Sequence, residues 1–383
     1  MAQGPGRNSS LERFLACMEY GPADRVPNYE LGVWGQTQER WEREGAPPFT
    51  LSWDWFTGEE YFDLDYREFI PIDFGMMPPF EVQVLERTDQ YEIIRHAHGI
   101  VTKALIEGTV RGTRASMDTY LRFPVETPED FRELKKRYEA RLPRRLPPYW
   151  RERLPGWKNR RHVLVLGQNC SACGFYWRAR EWMGTENLSY AWYDQPVLLH
   201  EMMEFFADFT MEVCRPIVRE LPVEYFNLNE DLCMKTGPLL SPAMFKEFIF
   251  PHLRRLVEFF KRHGTRYILV DTDGNCESLI PLFMDAGVDG IWPLERAAGM
   301  DPIAVRRTFG KSLRLWGGVD KRELAKDRAA IDRHLRSLAP LVEQGGFIPT
   351  VDHTVPPDVS WDNFCYYMER KQAILCGSER TGL

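Results

Sequence analysis

From His162 to its end the chain repeats one pattern: a short apolar run, then a loop, then a segment with helical periodicity. The runs are HVLVLGQ, EYFNLN, YILVDTDGN, GIWPLE, LRLWGGVD and GFIPTVDH, and the segments between them include SPAMFKEFIFPHLRRLVEFFKRHG and residues 322 to 344. Strands alternating with helices of this length specify parallel βαβ units. Pro222, Gly264 and Gly345-Gly346 stand where the helices should stop. About six such units follow His162, with capacity for more upstream, which predicts an α/β fold closed as a (β/α)8 TIM barrel rather than an open doubly wound sheet.

Residues 1–160 read differently, as an irregular extension rich in Trp, Pro and charge that also supplies the first barrel elements. A strand pair is expected at Phe80 to Arg87 and Tyr91 to Ala97, where apolar and polar residues alternate around Thr88-Asp89. With neither an internal repeat nor a long flexible linker, residues 1–383 read as one barrel domain, with 161–383 as the main run of βα units. Lys plus Arg number 49 against 56 Asp plus Glu, a net charge of −7 with no basic run, which excludes a general nucleic-acid binder. No apolar stretch approaches the roughly 20 residues that span a bilayer, and Met1 to Ser10 lacks the apolar core of a secretory signal, so the cytoplasm is the expected location. The eight cysteines are scattered as reduced thiols would be; Cys170-Ser-Ala-Cys173 is the one CxxC, and ordinary packing is its expected role.

In an α/β barrel the loops after the strands build the active site. Here nearly every apolar run ends in ionisable or glycine-rich residues: Asn227, Asn229, Glu230 and Asp231; then Asp271, Asp273, Gly274 and Asn275; then Glu295; then Gly317-Gly318 with Asp320-Lys321; and finally Asp352-His353. Carboxylates sharing one pocket repel one another unless a cation or protons offset them. Asp271 and Asp273 leave a strand two residues apart, on one face. Together with Glu230 and His353 they form an oxygen-rich set with one nitrogen, suited to zinc or another divalent ion, although Asp and Asn after strands also cap helices. His353 precedes Pro356-Pro357, which stiffens its loop and suits an acid/base role. Asn227, Asp231, Glu295 and Lys321 are expected to position substrate, and Trp34, Trp53, Trp55, Phe74 and Phe80 could cover an aromatic or methylated ligand. No G-x-S-x-G elbow, P-loop or dinucleotide fingerprint occurs.

The segments LERFLACMEYGPADRVP, NEDLCMKTGPLLSPAMFKEFIFPHLRRL, DTDGNCESLIPLFMDAGVDGIWPLERAAGMD, LRLWGGVDKREL and GGFIPTVDHTVPPDVSWDNFCYYME together resemble the uroporphyrinogen decarboxylase superfamily over most of the chain. The resemblance implies a (β/α)8 barrel and one of two chemistries, tetrapyrrole decarboxylation or methyl transfer involving a corrinoid protein or a thiol acceptor. The decarboxylases carry an arginine-bearing stretch where this chain reads Asn28-Tyr29-Glu30-Leu31-Gly32-Val33-Trp34-Gly35, and a polycarboxylate substrate needs such cations. Asp73 stands near their catalytic aspartate and His353 where they hold a substrate-contacting histidine. In the coenzyme M methyltransferases a His-x-Cys pair occupies the place of Asp271-Thr272-Asp273. These departures favour a demethylating member, with Asp271, Glu230 and His353 catalytic, a divalent ion such as zinc as cofactor, and a corrinoid on a partner protein, since the chain lacks a D-x-H-x-x-G corrinoid signature. The alternative is a carboxy-lyase using Asp73 without a cofactor. A homodimer is compatible with either.

Overall fold

The computed structural model describes residues 8–47, 61–107, 117–167 and 174–377. In chain order its strands are β1 (Arg67–Phe69), β2 (Gln83–Arg87), β3 (Tyr91–Arg95), β4 (Val101–Leu105), β5 (Thr119–Arg122), β6 (Val163–Leu166), β7 (Tyr225–Asn229), β8 (Cys233–Met234), β9 (Gly237–Pro238), β10 (Tyr267–Asp271), β11 (Gly290–Leu294), β12 (Arg314–Val319) and β13 (Phe347–Val351). All six apolar runs are strands of one seven-stranded parallel sheet, ordered β1-β6-β7-β10-β11-β12-β13. Helices such as Pro196–Val218 cover the outside, presenting Leu199, Met202, Phe206, Val213 and Ile217 at helical spacing. The helix Trp361–Leu375 is started by Ser360, whose hydroxyl accepts the Asn363 N–H. Among the described residues no helix is long and apolar enough to cross a membrane.

The sheet curls strongly. Four strands separate β1 from β12, which in a flat sheet at roughly 4.8 Å per step would hold them about 24 Å apart. Yet the Arg67 guanidinium of β1 lies 5.2 Å from the Trp316 ring of β12. Tyr225 and Trp316, three steps apart, have ring centroids at 6.1 Å. The space inside is a packed core of Tyr29, Val163, Val165, Tyr225, Tyr267, Leu269, Trp292, Trp316 and Ile348. The helix Ser10–Met18 inserts Phe14, Cys17 and Met18 into the same cluster.

Among the described residues the expected eighth ladder strand is not formed. An extended segment around Asn28–Trp34 is attached instead by a single bridge, Val33 to Val355. On its other side the Asp65 N–H donates to the Asn28 carbonyl at 2.9 Å. The reason is local: the Val351 N–H of β13 donates to the Glu30 carboxylate at 3.0 Å rather than to a strand carbonyl. Glu30 is in turn held by the Lys371 ammonium at 2.6 Å and by the Tyr367 hydroxyl, with all three side chains buried. A buried side-chain strut therefore replaces part of a ladder.

The expected strand pair is present as β2 and β3, antiparallel across Thr88-Asp89, but it belongs to a four-stranded sheet, β2-β3-β4-β5, whose last two strands the sequence pattern did not disclose.

Candidate active site at the carboxyl ends of the strands

Side chains alternate along each strand, so the inward row that starts in the aromatic core rises to polar residues at the carboxyl ends. On β7 it runs Tyr225, Asn227, Asn229, and on β10 Tyr267, Leu269, Asp271. Asn227 and Asn229 are buried, and Asp271 is 9% exposed. The Asn227 side-chain oxygen Oδ1 accepts the Trp292 indole N–H at 2.8 Å, and the Asn229 side-chain amide donates to Asp271 Oδ2 at 3.1 Å. Burial pushes the Asp271 carboxyl well above the usual carboxylate range, aided by the nearby charges of Asp273 and Asp231 and only partly opposed by Asn227 and Asn229. The site therefore favours the protonated form of Asp271 more than water does.

Asp273 lies at the side of this group. Its Oδ2 is 3.3 Å from His353 Nε2, so the loops after β10 and β13 meet in one place. Burial works to lower the His353 pKa, but the hydrogen bond and charge of Asp273 outweigh it, and the imidazole titrates above its ordinary value. The other ring nitrogen, Nδ1, is 2.8 Å from Thr354 Oγ1, and the same oxygen accepts the Trp34 indole N–H at 2.5 Å. Thr37 and Trp41 of the helix Gly35–Arg43 donate to the carbonyls of Val355 and Val359 at 2.7 and 2.8 Å. The N-terminal extension thereby clamps the histidine loop, and Trp34 acts on that loop.

Asp352, fully buried, ties the remaining loops together. Its Oδ1 accepts the Lys321 N–H at 3.1 Å and its Oδ2 the Arg296 N–H at 2.9 Å. The Lys321 ammonium is 3.3 Å from Glu295 Oε1 and 3.7 Å from Asp352 Oδ1, while Glu295 Oε2 accepts the Gly274 N–H at 3.1 Å. Loops after β10, β11, β12 and β13 are joined through carboxylates, and Glu295 and Lys321 are each other's partners.

Other expected site residues lie elsewhere. Glu230 is buried with its two carboxylate oxygens accepting the N–H groups of Phe175 and Tyr176 at 3.0 and 2.8 Å. It caps the helix Phe175–Met183, whose N-cap is Gly174 without a side-chain cap. Burial raises its pKa to about 7, with those backbone N–H groups pulling the other way. Gly174 permits the close approach: a Cβ there would sit 1.8 Å from the Asn229 carbonyl oxygen. Asp231 is bound by Arg180 at 2.7 Å, and that guanidinium stacks 4.5 Å from the Trp177 ring, a mouth cation the sequence reading missed because it sits mid-helix. Asp73 is exposed and its Oδ1 accepts the Gly75 N–H at 2.7 Å, forming a turn. Phe74 is a correction: it is 2% exposed and belongs to the hydrophobic core rather than to a ligand surface. Phe80 lies beneath the Arg137 guanidinium at 4.1 Å. Trp53, Trp55, Cys170 and Cys173 fall outside the described residues.

A resident divalent ion needs several donors converging on one point. Of the four residues expected to supply them, Asp273 faces His353, Asp271 faces Asn229, and both Glu230 oxygens face helix N–H groups. Among the described residues no three His, Cys, Asp or Glu side chains gather into a group able to hold a metal. This donor set does not fit a resident zinc.

Comparison with known proteins agrees with the architecture. A methyltransferase from Methanosarcina mazei superposes with a TM-score of 0.57 at 15% identity, covering 96% of this chain and 99% of that one. A B12-independent methionine synthase from Shewanella sp. W3-18-1 gives a far looser likeness, TM-score 0.35 at 10% identity over 81% of this chain and 76% of that one. No curated protein matches the sequence. Residues 177–373, which carry five of the seven parallel strands, all but β1 and β6, are the part that decides membership. Over that span the sequence matches the family described as uroporphyrinogen decarboxylase (URO-D), and the chain belongs to it.

Proposed function

We propose that this protein is a methyltransferase that removes a methyl group from a small substrate methylated on oxygen or nitrogen and delivers it to a corrinoid carried by a partner protein. The observation that carries the reading is the pairing of His353 with Asp273 beside the buried carboxyl of Asp271. When a methyl group leaves oxygen or nitrogen, the bonding electron pair stays on the heteroatom, which is then stabilised by a proton or a hydrogen-bond donor. Asp271, whose carboxyl burial biases toward its protonated form, suits that role, and His353 on its clamped loop fixes the Asp273 carboxylate beside it. The corrinoid, as methyl-accepting substrate, supplies the nucleophile. No step is assigned to zinc.

The carboxy-lyase alternative fits less well. Asp73 spends a carboxylate oxygen on its own turn, and the mouth cations Arg180 and Lys321 are already matched by Asp231 and by Glu295 with Asp352. The fold that suits the methyltransferase reading is a single (β/α)8 barrel domain acting in the cytoplasm, with the Asn28–Trp34 segment as its eighth stave. The test is incubation of the purified protein with cob(I)alamin and a panel of methoxybenzoates and methylamines, following the absorbance change to methylcobalamin. Transfer that falls on the order of 100-fold or more in Asp271→Asn and in His353→Ala supports the reading. Release of carbon dioxide from a porphyrinogen, without methyl transfer from any donor, would reverse it.

A further inference from the structure

The C-terminal end of the helix Pro196–Val218 and the segment 140–151 border a groove of about 720 Å³, none of whose lining residues belongs to the site described above. That is within the range of about 300–1,000 Å³ that small-molecule sites occupy. Its floor is apolar, with Leu142, Leu146, Val213 and the largely buried Trp150. Its walls carry Arg141, Arg151, Arg215 and Arg219 against two acids, Glu212 and Glu220. Glu212 is taken by Arg215 at 2.7 Å and Arg141 at 3.5 Å, and Glu220 faces Lys158 at 4.0 Å. Among the described residues Arg151 and Arg219 make no ion pair, and Arg151 is held over the Trp150 ring at 4.5 Å. Two uncompensated guanidinium groups over an apolar concavity, in a chain of net charge −7, are an arrangement that bidentate oxyanion recognition uses.

We propose that this groove is a second ligand site, taking a phosphorylated small molecule with its phosphate oxygens on Arg151 and Arg219 and its apolar body against Trp150 and Leu146. The site is wired to the rest of the protein. Arg145, on the same segment, donates to the carbonyls of Asp73 and Gly75 at 3.0 and 2.8 Å, and its own carbonyl accepts the Asp73 N–H at 2.8 Å. Occupancy of the groove therefore braces the Asp73–Gly75 turn that follows β1.

The experiment is calorimetric titration of the full chain with pyrophosphate, with ADP and with citrate at low salt, repeated on Arg151→Ala/Arg219→Ala. Both arginines are exposed, so the variant should keep the wild-type melting temperature, which is measured alongside. Saturable binding of ADP, tighter than pyrophosphate and weakened at least tenfold in the double variant, is expected, together with slowed amide exchange over residues 73–77 on binding. Citrate binding as tightly as ADP would make the site a carboxylate site and overturn the phosphate assignment. Absence of saturable binding at millimolar ligand, or binding unchanged in the variant, would overturn the site itself.

Discussion

Replacing Lys371 by Met tests the strut that stands in for the eighth ladder. Lys371 is 1% exposed and donates to Glu30 Oε1 at 2.6 Å and to the Tyr29 carbonyl at 2.7 Å, while Glu30 is itself 1% exposed. Burial pushes the Lys371 pKa down, with Glu30 opposing. Removing one partner of such a pair costs about 3–5 kcal/mol, because it leaves an uncompensated charge in the interior. Here the Val351 N–H and the Tyr367 hydroxyl still serve Glu30, which places the expected loss near the lower end, about 3 kcal/mol. Glu30→Gln/Lys371→Met removes both charges and should recover at least half of the loss. Urea unfolding followed by tryptophan fluorescence reads both effects. A loss below about 0.5 kcal/mol, or a double variant as unstable as the single, would refute the strut, since surface-like changes have effects of that size.

Other expectations follow from the same geometry. Glu230→Ala strips the cap from the helix Phe175–Met183 and should destabilise by roughly 2–4 kcal/mol, combining lost hydrogen bonds to a carboxylate with a cavity; a neutral effect in urea unfolding would mean that the cap is dispensable. Gly174→Ala drives a methyl group into the Asn229 carbonyl and should cost at least 1–3 kcal/mol, with an unchanged unfolding midpoint counting against the close approach. Gly274, at φ +75°, would bring a Cβ within 2.6 Å of the Cys233 carbonyl oxygen, so Gly274→Ala should lower both stability and methyl transfer, whereas full activity at normal stability would show that the Asp273 loop tolerates displacement.

The sequence disclosed the six strands that are long apolar runs, because burial on both faces leaves no polar alternation to confuse the pattern. It did not disclose β1, whose three residues Arg-Glu-Phe look like surface, nor the role of Glu30, whose partner Lys371 lies 341 residues away. The convergence of the strand tips was legible, since Asp271, Asp273 and His353 each follow an apolar run. Their division of labour was not. Glu230 and Asp231 adjoin in sequence, yet one caps a helix and the other grips Arg180, and a pattern of carboxylates cannot say which oxygen meets an N–H. A usable signal did exist: the helix Phe175–Met183 begins after a glycine with no capping side chain, so something outside the helix had to supply one.

The claim that everything else needs is that the loops after β10 and β13 form one charged pair. NMR titration of the His353 imidazole, compared between the native chain and Asp273→Asn, measures it directly. The native ring should titrate above the ordinary value near 6.5, so the pairing stabilises the fold below that pH and its contribution is lost as pH rises through the folded value. In Asp273→Asn the burial remains without its compensating charge, and the ring should titrate below its ordinary value. Identical titration in the two proteins would contradict the account.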